Sequence, residues 1–196
     1  MSGTESAGAI PQDFAHALLS AESAELRSEL EVTTIASPEG IAPFAKAWSA
    51  TVTPQARDEG DQGTSRLVLL YDPSAPDAWS GVWRMVCFAK APLDQTMSED
   101  PLLPEVAWSW LTDALTSHGA SFDRAAGTAS TIVSTGLGEM ASDIKGAEME
   151  IRASWSPQSG DIKDHLEAWA EFVCMLAGFP PTPDGVATLR TSRTTS

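Results

Sequence analysis

Basic residues are scarce. In 196 residues, 12 Lys and Arg stand against 27 Asp and Glu, a net charge of −15. So acidic a chain repels phosphate backbones and anionic lipids, which argues against direct nucleic-acid binding and against docking on a membrane surface. Cysteine is scarcer still: Cys87 and Cys174 are the only two. Neither stands in a metal-ligand or redox spacing, and two cysteines do not make a secreted disulfide framework. No apolar run approaches the roughly 18 residues that a membrane-spanning helix needs. Met1-Ser-Gly-Thr-Glu-Ser-Ala-Gly8 has neither a basic region nor an apolar one, so no signal peptide is expected. A reducing, cytoplasmic setting follows from these absences.

Motifs of catalysis are missing too. The three histidines, His16, His118 and His165, fall in no HxxxH, HxH or HExxH spacing, so no zinc site is expected. Gly136-Leu-Gly138 lacks the third glycine and the strand-to-helix context of a nucleotide loop, and no G-x-S-x-G elbow occurs. The reading therefore assigns no cofactor, no metal and no catalytic residue. An enzyme is the less favoured class.

What is present is a single domain over 1–196, with an ordered core at about 12–180, a flexible loop at 54–65 and a disordered tail at 182–196. The 42% apolar fraction is ordinary for a globular core. Asp13 is placed as the cap of a first helix running to Leu30, because Phe14, Leu18, Leu19, Leu26 and Leu30 recur at roughly helical spacing. The alanines of residues 41–52 favour helix while Trp48, Ala50 and Val52 alternate as in a strand, and of the two the segment is read as strand. Leu67–Tyr71 and Val82–Phe88 are two further strands, the latter apolar on both sides and so central. A helix follows over 104–118, with Pro104 in its first turn and Gly119 as its left-handed stop.

Phe122 to about Ser134 is the next strand. Ala147–Trp155 alternates cleanly, with Met149, Ile151, Ala153 and Trp155 on one face and Glu148, Glu150, Arg152 and Ser154 on the other. Asp161 is expected to cap a last helix that runs to about Ala177. The order α-β-β-β-α-β-β-α predicts an α+β fold: an antiparallel sheet of about five strands, with helices packed on one face.

Candidate binding residues are Trp83, Glu148, Glu150, Arg152, His165 and Phe172. The Glu148–Arg152 face reads as a solvated sheet face or a partner surface. Trp108 and Trp110 sit on opposite margins of the apolar stripe of their helix, as core-edge indoles do. Cys87 reads as a core residue and Cys174 as an accessible one. On the last helix Ile162, Leu166, Trp169, Val173 and Leu176, extended by Phe172 and Met175, exceed what one sheet face covers, which points to a homodimer or a bound protein partner.

The run Asp100-Pro-Leu-Leu-Pro-Glu-Val-Ala-Trp-Ser-Trp-Leu-Thr-Asp-Ala-Leu115 is similar to the signature of an actinobacterial family, the domain of unknown function numbered three thousand. Arg66-Leu-Val-Leu-Leu-Tyr-Asp-Pro73, Glu148-Met-Glu-Ile-Arg-Ala-Ser-Trp-Ser-Pro157, His165-Leu-Glu-Ala-Trp169 and Ala177-Gly-Phe-Pro-Pro181 extend the resemblance over about residues 11–183. It implies an actinobacterial cytoplasmic protein of unassigned activity. It also implies a link to RNA metabolism, through a neighbouring gene for a ribonuclease D-like exonuclease. The element order resembles that of the type III secretion chaperones, small acidic dimers that bind other proteins, and fold alone does not set function. The leading expectation is a non-catalytic, self-associating domain that holds or regulates another protein. The alternative is a small-molecule binder or enzyme whose site gathers Trp83, Glu148, Glu150 and His165.

Overall fold

The computed structural model describes residues 10–53, 63–94, 97–140 and 145–182. Most of the loop expected at 54–65 and of the tail expected at 182–196 lies outside them. Nine principal elements follow in chain order: α1 (Gln12–Glu22), β1 (Leu30–Ile35), β2 (Phe44–Val52), β3 (Thr64–Tyr71), β4 (Trp83–Leu93), α2 (Leu103–Ser117), β5 (Phe122–Thr135), β6 (Lys145–Pro157) and α3 (Lys163–Leu176). The strands form one antiparallel sheet in the order β1-β2-β3-β4-β6-β5. The α+β class and the helices on one face are as the sequence predicts. The strand count is six rather than about five.

The extra strand is β1, and the first helix is eight residues shorter than expected, ending at Glu22 and not at Leu30. Leu26 and Leu30 lie at a helical interval from Leu19, but they belong to a connection and to a strand start. The run Val32-Thr-Thr-Ile35 is β-branched throughout, which suits a pleated strand, and it pairs with Ala47–Ala50 of β2. Neither Asp13 nor Asp161 caps its helix through its side chain. The Ser20 hydroxyl of α1 instead accepts from the backbone N–H groups of Ile162 and Lys163, each at 2.9 Å, and donates to Asp161 at 2.5 Å. One helix thus supplies the start of another.

The covered sheet face carries Met85, Cys87 and Ala89 of β4, Met149, Ile151 and Trp155 of β6, and Leu67 and Leu69 of β3, all buried. Upon it α3 crosses β2, β3 and β4, α2 lies over β5 and β6, and α1 packs beside α3. Burying a side chain the size of Trp155, Trp169 or Phe172 stabilises the fold by about 1.5–3 kcal/mol each. Two indole N–H groups inside this layer have partners. Trp155 donates to His165 Nδ1 at 3.1 Å, and Trp169 donates to Ser65 Oγ at 2.8 Å, which donates onward to the Phe88 carbonyl at 2.8 Å. Trp108 lies against β5 at Gly127, where a Cβ would stand 2.7 Å from the indole and 2.5 Å from the Arg152 carbonyl oxygen.

α2 ends as the sequence predicts, with Gly119 at φ 75°. The Pro180–Thr182 stretch is tied to α3 and to the α1–β1 connection. Glu171, buried on α3, accepts from the Thr182 backbone N–H at 2.6 Å and hydroxyl at 2.9 Å, and pairs with Arg27 at 3.2 Å. Arg27 also bonds Glu29 and the Pro180 carbonyl, so the α1–β1 connection, α3 and the chain beyond it share one clamp. Among the described residues no helix is long and apolar enough to cross a membrane.

Candidate functional site

Because successive side chains of a strand point to opposite faces, Glu148, Glu150 and Arg152 of β6 share the sheet face that carries no helix. Register places Lys90 of β4 opposite Glu150 and Phe88 opposite Arg152. Lys90 Nζ lies 3.6 Å from Glu148, and Arg152 Nε donates to Glu150 at 2.7 Å. The Arg152 guanidinium stands 5.2 Å from the Phe88 ring centroid, a cation–π contact. Val86 is 39% exposed beside them, and its neighbour across β3 is Val68.

Arg66 faces solvent opposite Phe88. Arg84 donates to Ser154 Oγ at 2.5 Å, Ser156 Oγ at 3.0 Å and the Arg124 carbonyl at 3.0 Å. Its pKa is lowered, by burial first and by Arg124 beside it second. Among the described residues neither Arg66 nor Arg84 pairs with a carboxylate. The open face is therefore an apolar centre (Val68, Val86 and Phe88) ringed by four cations and two glutamates, on a chain that is otherwise strongly acidic.

The other expected site residues lie elsewhere. Trp83 is buried on the helix side, its ring 4.5 Å from Tyr71 and 6.4 Å from Phe14, and it separates two shallow clefts. One cleft is lined by Ser80, Asp123 and Gln158, the other by Asp13, His16, Ser20, Asp161 and Lys163. His165 and Phe172 are 2% and 0% exposed, so neither presents a binding group to solvent. Burial pushes the His165 ring down to about 4, against opposing pulls from Asp161 and the Ser121 backbone. It is a neutral hydrogen-bond acceptor inside the core. Trp83 and His165 stand on one side of the sheet and Glu148 and Glu150 on the other, so the scattered-residue site is not assembled.

Two further expectations are corrected. Cys174 is buried, not accessible, and burial pushes both Cys174 and Cys87 up to about 12. The apolar surplus of α3 is covered by its own chain: helices α1 and α2 flank it, and ten of its residues are buried. It leaves no face to explain by self-association. A third cleft, between α2, α3 and the end of β4, is lined by Leu93, Met97, Trp110, Met149 and Met175 and encloses about 60 Å³ of mostly apolar space. Among the described residues no group of three or more His, Cys, Asp or Glu could hold a metal ion.

Sequence reasoning missed Phe88, Arg66 and Lys90. The alternation Arg84-Met-Val-Cys-Phe-Ala-Lys90 held the signal, since its even positions carry two cations, the exposed Val86 and the half-buried Phe88. Reading β4 as apolar on both sides concealed it. β4 is central, but only one of its faces is covered.

A family model described as "Protein of unknown function (DUF3000)" matches residues 10–187. No curated protein matches the chain, and no solved structure does.

Proposed function

For a chain that belongs to the family described as protein of unknown function (DUF3000), we propose a non-catalytic protein-binding role, exercised through the open face of the sheet. The observation that carries this reading is the composition of that face. Val86 and Phe88 are surrounded by Arg66, Arg84, Lys90 and Arg152, while the chain as a whole bears a charge of −15. Aromatic and arginine side chains grouped on an open surface are the types that anchor interfaces. The cations favour a partner segment in which carboxylates flank an apolar side chain, and the acidity of the remaining surface steers such a segment away from other approaches. A cytoplasmic partner fits the two unpaired thiols.

A photo-crosslinking residue at Val86 tests the reading in the native host, with a second at exposed Leu19 on α1 as the control. The Val86 probe should capture one protein that the Leu19 probe does not. Phe88→Ala combined with Arg152→Ala should abolish that capture while leaving the circular dichroism spectrum unchanged. Capture that survives the double substitution overturns the reading.

A further inference from the structure

The two edges of the sheet differ. β1 is six residues long, carries Glu31, and follows directly on Arg27 and Glu29. β5 is fourteen residues long, and its only charges are Asp123 and Arg124, at its very start. There the strand also bulges, between Asp123 and Ala126, with Arg124 at φ 48° and its guanidinium 2.6 Å from Ser80 Oγ. From Ala125 to Gly138 the chain carries no charge and no proline.

Natural sheets protect their edges with lysine, proline, bulges or brevity, because an open row of N–H and C=O groups recruits another strand. β1 is protected by its brevity and by the charge of Glu31, whereas β5 is protected only at its first residues, by Asp123 and Arg124 and by its bulge. Beyond it Thr128, Thr131, Ile132 and Val133 favour an extended backbone, and ten of the fourteen β5 residues are exposed. Val133 is 63% and Leu137 80% exposed. Among the described residues the backbone of 125–135 hydrogen-bonds only to β6.

We propose that β5 pairs antiparallel with β5 of a second copy of the chain, about a two-fold axis near Ser130, joining two sheets into one of twelve strands. Charge selects this edge as the place where a second copy can join. Two copies of a −15 chain repel at most approaches, and the uncharged strip allows backbone contact without setting like charges against each other. A single strand pairing with itself antiparallel is also the arrangement that a two-fold axis generates. The junction would cover Val133 and supply hydrogen bonds to the outward groups of 125–135. It would leave Val86, Phe88 and Arg152 exposed in both copies, so the pairing stands independently of open-face docking.

Sedimentation equilibrium of the full chain, from low to high micromolar, provides the test. The wild type should be a dimer. Ser130→Lys and Ile132→Lys, each at an exposed position, should weaken it on the order of ten-fold or more with unchanged circular dichroism, ten-fold being the change that about 1.4 kcal/mol produces. Ser130→Cys should be joined into a covalent dimer by a short bis-maleimide, whereas Glu25→Cys on the far side should not, the two native thiols being buried. A wild type that stays monomeric at high micromolar concentration overturns the proposal. So does a dimer that both lysine variants leave intact, since it would use another surface. Protection of the outward-pointing amides of 125–135, those not bonded to β6, from exchange in a monomer would overturn it equally, by showing that the chain covers its own edge.

Discussion

At the scale of single residues, His165 couples the fold to pH. Its Nδ1 accepts from Trp155, so the ring must remain neutral there. Burial holds it at about 4 in the native state, against 6.5 for an unperturbed histidine. Between those values the unfolded chain binds more protons than the folded one, and stability therefore falls as pH falls. The contribution is complete above 6.5 and is lost as pH drops through 4, in total about 3 kcal/mol. Urea unfolding between pH 8 and pH 4 should show this slope. His165→Gln, which keeps an acceptor but does not titrate, should be less stable at pH 8 and flatter below it. A wild-type slope retained in the variant would assign the effect to other groups.

At the scale of elements, the start of α3 depends on a residue of α1. Ser20 Oγ takes the N–H groups of Ile162 and Lys163, a capping role usually filled from within the same helix. Ser20→Ala should cost about 1 kcal/mol by thermal or chemical unfolding, the usual range for a lost cap. Restoration by Ser20→Thr would separate the hydroxyl from packing. Asp161→Ala should cost less, because the Asp161 side chain accepts one bond, from Ser20, and acts on His165 only through its charge. If Asp161→Ala proves the costlier of the two, the cap belongs to Asp161.

No reading of neighbours along the chain finds this contact, as Ser20 and Ile162 lie 142 positions apart. Elements whose signals are local were legible: the alternation of Glu148–Trp155, the helix between Pro104 and Gly119, the apolar face of α3. β1 was not, because Leu26 and Leu30 imitate helical spacing and the β-branched run after them is short. The candidate site was half legible. Glu148, Glu150 and Arg152 declare their shared face by period two, but Phe88, Lys90 and Arg66 join them only through cross-strand register. Phe172 and His165 were misread because an apolar helix surface looks the same from sequence whether its own chain or a partner covers it.

At the scale of the whole molecule, charge is divided between two layers. α1 carries Asp13 and Glu22, and α2 carries Glu105 and Asp113, with no Lys or Arg in either. The open sheet face holds Arg66, Arg84, Lys90 and Arg152 against Glu148 and Glu150, an excess of cations. A compact chain of −15 repels itself, so adding salt at pH 8 should screen repulsion more than it weakens the few surface ion pairs. Raising NaCl from a few tens of millimolar to about 0.5 M should lift Tm by about 2–4 °C, the shift that about 1 kcal/mol produces at this size. Docking on the open face should respond in the opposite sense, because there the cations attract: affinity for the captured partner should fall as salt rises. Opposite salt slopes for folding and binding follow from the two-layer division and from no uniformly acidic surface. A Tm that falls with salt would show that attractive pairs such as Arg27–Glu171 outweigh the net charge. Partner affinity that rises with salt would move the interface from the cationic sheet face to an apolar surface such as the cleft between α2 and α3.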